Sequence, residues 1–188
     1  MAPMRMRNHP GGYGLITKLL HWATVMTLAA QFLVGYALTR ADDVLEPFVE
    51  RWLGGEDDRL LGVHVALGIG ILALTALRLI WRVTTPLPQW AEGLSPTEQR
   101  VAHVVERLLY ATLLLIPLTG LALILASGED WDLGNTEWLA PLELADDDVL
   151  IGAHIATHLT FFAALAVHVG LVLKHQLIDR DRLLERML

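Results

Sequence analysis

Histidines stand inside stretches that otherwise read as membrane-spanning, among them His21, His64, His154 and His168. An imidazole is expensive in hydrocarbon, and one kept there serves hydrogen bonding, proton handling or metal ligation. His154 and His168 are fourteen residues apart in the stretch "HIATHLTFFAALAVHVGLVLKHQ". Helical twist and rise leave two such residues only about 40° apart around the axis and about 21 Å apart along it. One helix face therefore offers an imidazole at two depths.

The elements that must position these rings are four apolar stretches in a chain of 188 residues, 54% of them hydrophobic. They cover about residues 15–38, 60–81, 101–126 and 149–173. Each is long enough to cross a hydrocarbon core, which takes about 20 helical residues. Lipid leaves the backbone of an open strand unsatisfied, so all four are expected to be helices. The expected fold is all-α, a four-transmembrane-helix bundle forming a single membrane domain over residues 1–188. A charged tail, residues 174–188, should be helical at the surface.

Charge sets the expected orientation. Arg5, Arg7 and Lys18 open the chain, Arg78, Arg82, Arg100 and Arg107 flank the second connection, and Lys174, Arg180, Arg182 and Arg186 follow the last span. The other two loops hold only Arg40, Arg51 and Arg59, with 15 of the 21 carboxylates. By the positive-inside rule both termini are cytoplasmic, and the acidic loops face the periplasm. The basic N-terminus followed by an apolar run could suggest a signal peptide, but the run is too long and lacks a small-x-small cleavage site. It is read as a retained span.

Depth then pairs the histidines. His21 lies about 9 Å from the cytoplasmic end of its span, and His64 about 6 Å from the outer end of the second. His154 lies five residues from the outer end of the fourth span and His168 five from its inner end. His64 thus matches His154, and His21 matches His168. Two neutral imidazoles per level suit haem iron better than zinc, which takes four ligands or three and water. Filling both axial positions suits electron transfer rather than oxygen binding.

Gly35, Gly68, Gly70 and Gly120 would admit a flat macrocycle, although small residues also serve ordinary helix packing. Arg78 and Arg82 could hold propionates, with a topology anchor the plainer role for Arg82. Trp22 and Trp81 fit an interfacial belt as well as a pocket wall. His103 could compete for the inner iron, and His158 sits one turn deeper than His154 on the same face. His9 and His175 lie outside the spans. "HIATH" has Ile155 where a zinc protease would carry its general base, which dismisses that reading. With no cysteine, disulfides and iron–sulfur clusters are excluded. A net charge of −7 argues against nucleic acid.

The segments "KLLHWATVMTL", "HVALGIGILALTALRLIWR", "AHVVERLLYATLLLIPLTGLALI" and "HIATHLTFFAALAVHVGLVLKHQLIDRDRLLERM" together resemble the bacterial cytochrome b561 family. The resemblance covers all four spans and the tail. It implies a protein of the bacterial inner membrane holding two haem b groups, one on His21 and His168 at the cytoplasmic side, the other on His64 and His154 at the periplasmic side. It further implies electron exchange with ubiquinone or another quinone. Some members are superoxide oxidases; relatives serve as haem-bearing anchor subunits that link a hydrogenase or dehydrogenase to quinone. The acidic outer loops depart from what a superoxide oxidase needs, since they repel an anion and attract a cationic periplasmic redox protein instead.

Overall fold

The computed structural model describes residues 5–40, 57–91, 93–126, 131–132, 137–138, 142, 145–181 and 183–188. Four long helices dominate it: α1 (Leu15–Arg40), α2 (Asp57–Thr84), α3 (Pro96–Ala126) and α4 (Asp147–Lys174). Among the described residues all four are long and apolar enough to cross a membrane. Many of their large apolar side chains point outward, such as Met26 at 68% and Leu159 at 66% exposure. Such a surface is at home in lipid rather than water. The ladder described besides them is one two-residue antiparallel pair, Trp131↔Trp138 and Asp132↔Glu137. The fold class is all-α, as expected. The acidic loops that carried the argument about partners fall largely outside the described residues.

The helices begin and end where capping chemistry allows, which lengthens every span by a few residues. α3 starts at Pro96, five residues before the apolar run, because Ser95 and Glu98 form a reciprocal capping box. The Glu98 amide donates to Ser95 Oγ at 3.3 Å, and the Ser95 amide donates to Glu98 Oε2 at 2.8 Å. α4 starts on Asp146, whose Oδ1 accepts from the Asp148 amide at 3.0 Å. Asp147 and Asp148 then sit where the helix dipole favours anions. Within α3, Pro117 removes one backbone donor, and the Thr112 and Thr119 hydroxyls bond back to carbonyls one turn earlier.

The chain divides into two compact units. A terminal unit combines Met1–Thr24, Leu74–Leu113 and His158–Leu188; a loop unit combines Val25–Ala73 and Leu114–Thr157. Each unit takes a segment from all four helices.

The terminal unit is stitched by polar contacts. Asn8 Oδ1 accepts from the Gly14 amide at 2.9 Å and the Thr17 hydroxyl at 2.7 Å, while its Nδ2 donates to the Pro86 carbonyl. Gly14 is obligatory there, since a Cβ would lie 2.4 Å from the Arg7 backbone. Trp81 Nε1 donates to Thr17 Oγ1 at 2.9 Å, tying α2 to α1. Beyond α4 the tail forms a π-helical turn, His175–Asp179, and a 3-10 turn, Leu183–Arg186, instead of the surface helix expected. Arg180 adopts a left-handed conformation (φ 56°), costing about 1 kcal/mol, and turns the chain back on itself. Burial pushes the Tyr13 phenol above its usual range, a shift opposed by the Arg186 guanidinium that lies 5.9 Å over its ring.

In the loop unit, Ala37 and Leu60 make a buried apolar contact between α1 and α2, with Val34 and Leu38 against them.

Candidate functional site

Each unit brings two histidines together, one ring always coming from α4. In the terminal unit the His21 and His168 ring centres are 6.4 Å apart. In the loop unit His64 and His154 are 6.5 Å apart. All four rings are half-buried.

The loop-unit pair is seated by close fit. A Cβ on Gly35 would come 3.1 Å from His64 Cε1, and one on Gly120 would come 3.0 Å from His154 Cε1. Each glycine thus lets one imidazole lie directly against a neighbouring helix. Gly68 and Gly70 make no such approach; a Cβ on Gly68 would meet only Gln31 at an ordinary 3.7 Å.

Hydrogen bonds sort the nitrogens of these rings. Thr119 Oγ1 uses its single hydrogen on the backbone carbonyls of Leu115 and Ile116, at 2.8 and 2.9 Å. It is therefore an acceptor toward His154 Nδ1, 2.9 Å away, which leaves the other nitrogen, Nε2, with a lone pair. Gln31 Nε2 lies 3.1 Å from His64 Nε2, and an amide nitrogen can only donate, so this Nε2 is an acceptor too. His64 Nδ1 and Gln31 Oε1 are both buried without a hydrogen-bond partner.

The terminal-unit pair has a different surround. Trp22 meets His21 edge-on at 5.4 Å and donates its Nε1 hydrogen to the Met187 carbonyl at 2.9 Å. Trp22 thus packs on a histidine besides anchoring an interface. The Arg78 guanidinium lies 5.4 Å over the Tyr110 ring, and its charge acts on both His21 and His168. Arg82 pairs with Glu106 at 2.9 Å, so it ties α2 to α3.

The remaining histidines are His9, His103, His158 and His175. His103 packs edge-on against Trp90 at 4.9 Å and lies 3.8 Å from Glu106. His158 belongs to the terminal unit, whereas His64 and His154 belong to the loop unit. His9 accepts from the Gly11 amide in an N-terminal turn. His175 was expected just outside the membrane, and it is fully buried beneath the tail.

Sequence reasoning passed over Gln31, Thr119, Tyr110 and the His175 cluster. Gln31 carried a usable signal, being an amide in the middle of an apolar span and 5% exposed. Thr119 carried none, because threonine in such a helix usually bonds its own backbone.

Comparison with known proteins supplies the context. Residues 12–188 match the family model described as prokaryotic cytochrome b561. "Cytochrome b561 homolog 2" of Escherichia coli is 28% identical, covering 98% of this chain and 95% of that protein. "Cytochrome b562" of Cereibacter sphaeroides is 28% identical over 94% of this chain and 95% of its own length. "Probable superoxide oxidase CybB" of Yersinia pestis is 26% identical over 67% of this chain and 73% of its own. With four apolar helices of spanning length, such a chain is a multi-pass protein of the bacterial inner membrane. It belongs to the prokaryotic cytochrome b561 family, membrane electron-transfer proteins that bind haem b.

Proposed function

We propose that the chain holds two haem b groups, one between His21 and His168 and the other between His64 and His154, and passes electrons between a periplasmic partner and membrane quinone. The observation that carries this reading is the ring spacing, 6.4 and 6.5 Å in two separate units. An imidazole nitrogen bound to a first-row metal stands about 2.0 Å from it and about 1.1 Å from its own ring centre, so two imidazoles holding one iron between them would have centres about 6.2 Å apart. The donor chemistry fits as well. His154 has a lone pair on Nε2, an iron on His64 Nε2 would take the place of the Gln31 amide hydrogen, and Gly35 and Gly120 let the two rings lie against the facing helix.

When bound, haem supplies a reversible one-electron carrier, and two histidine ligands leave it no open position for oxygen. The protein's part is orientation and charge. Thr119 holds His154 Nδ1, fixing both tautomer and ring direction, as partners of ligating histidines usually do. Arg78 brings a fixed cation beside the His21 and His168 pair, suited to a propionate. Trp22 keeps the His21 ring from turning. With the termini on the cytoplasmic side, His64 and His154 would serve the periplasmic partner and His21 and His168 the cytoplasmic half.

The deciding experiment is a reduced-minus-oxidised spectrum with a pyridine haemochrome assay on purified protein. Two b-type haems per chain are expected; one or none overturns the reading. For the donor, we favour a cationic redox protein. Superoxide is suggested by the name of the Yersinia pestis relative, but 15 carboxylates against three arginines in the outer loops oppose an anion. Reaction with superoxide should be slow and should speed up as salt screens the repulsion. Fast kinetics that fall with salt would restore the superoxide reading.

A further inference from the structure

The last turn of α4 and the tail behind it enclose a cluster with no part in the histidine pairs. His175 is 0% exposed. Its Nδ1 is held by the Asp181 carboxylate, with Asp179 Oδ2 at 3.2 Å. Its Nε2 faces Glu98 Oε1 at 3.6 Å, too far for a hydrogen bond, and is buried without a partner. Lys174 Nζ bridges Glu98 Oε1, at 2.8 Å, and Asp179 Oδ2. Glu98 Oε2 is occupied by the Ser95 capping box, which aims Oε1 into the cluster.

This is the build of a metal ligand with its supporting partner. A ligating histidine almost always gives its other ring N–H to a carboxylate, a backbone carbonyl or water, and Asp181 is placed to take that part. In the neutral ring whose Nδ1 hydrogen goes to Asp181, Nε2 is an acceptor facing the acceptor Glu98 Oε1, an arrangement that calls for a cation between them. Ligand atoms on a tetrahedral zinc with bonds of about 2.0 Å stand about 3.3 Å apart, close to the 3.6 Å seen here. One ligand atom each from Glu98, His175 and Asp179 lies within 4.8 Å of the others; Asp179 Oδ2 stands on the Nδ1 side of the ring, so its carboxylate must turn to meet a metal on Nε2. Three carboxylates against one ammonium leave the cluster doubly negative with the imidazole neutral, matching a dication. Lys174 is 43% exposed and its long side chain can swing into water.

We propose that Glu98, His175 and Asp179 form a divalent-cation site suited to zinc, positioned by Asp181, in which the Lys174 ammonium holds the carboxylates together until the metal displaces it. A nitrogen and two carboxylate oxygens, with water as the fourth ligand, is a donor set zinc accepts. The site would fasten the tail onto the start of α3.

The test is zinc titration of the full chain in detergent, stripped with chelator, by calorimetry and by metal-to-protein ratio after dialysis. One zinc per chain is expected above what His175→Ala retains. Glu98→Gln keeps the capping box but weakens a ligand, and should lower affinity at least tenfold. Asp181→Asn should lower it roughly 10–100-fold, the usual cost of losing such a supporting partner. Lys174→Met removes the competitor and should bind zinc more tightly than the unaltered chain. The Glu98 and Lys174 variants keep the test decisive even if His175→Ala fails to fold. Equal affinity in the unaltered chain and Glu98→Gln, or no tightening in Lys174→Met, overturns the proposal and makes the cluster an ionic fastening for the tail.

Discussion

The two units hold equivalent pairs of rings by opposite means. In the loop unit the rings are wedged: Gly35 and Gly120 leave room for them, and the uncharged Gln31 and Thr119 set their nitrogens. In the terminal unit they lie beside a fixed cation, Arg78, and an aromatic edge, Trp22. Shape governs one pair and charge the other. On the proposed two-haem reading, the same ligand chemistry should respond to different substitutions, and a cation beside one haem should separate the two in potential.

Removing a ring has the largest expected effect. His64→Ala or His154→Ala should each take haem from two to one per chain and remove the same spectral component. His21→Ala or His168→Ala should remove the other. If every variant loses both haems while remaining folded, the units are not independent sites.

Adding a methyl group tests the wedge. Gly120→Ala places a carbon 3.0 Å from His154 Cε1, and Gly35→Ala places one 3.1 Å from His64 Cε1. Overpacking of this kind costs about 1–3 kcal/mol. The loop-unit haem should bind more weakly while the other is unmoved, as measured by haem loss to an acceptor protein. Gly170→Ala in the terminal unit meets nothing within 4 Å and serves as the control. Loss of both haems at equal rates would erase the distinction between shape and charge.

Removing the cation has a smaller effect. Arg78→Leu should lower the midpoint potential of the terminal-unit haem by about 50–100 mV, since a nearby positive charge favours the reduced form. The loop-unit haem should hold its potential. A redox titration followed optically reads both, and equal shifts would count against the assignment of Arg78 to one pair.

Much of this was legible in the sequence, for identifiable reasons. Hydropathy over about 20 residues reports a span whatever surrounds it, and the fourteen-residue spacing of His154 and His168 survives because one helix carries both. Helix ends were read short, since the Ser95 and Glu98 box that starts α3 is polar and falls outside any apolar window. The seats at Gly35 and Gly120 depend on the facing helix, so their composition looked the same as that of Gly68 and Gly70. The burial of His175 was beyond reach. It depends on Arg180 taking a left-handed turn, which returns Asp181 to the imidazole six residues before it.

That α4 supplies one ring to each pair also sets an order of events during biogenesis. α1 and α2 can enter the membrane with His21 and His64 in place, yet neither has its partner until residues 154 and 168 have been made. At about 5–20 residues per second, translation runs for several seconds beyond His64 before the first pair can close. On the two-site reading, both haems are loaded after the last span is inserted. On the same reading, a chain that stalls before that point carries only half of each proposed ligand set.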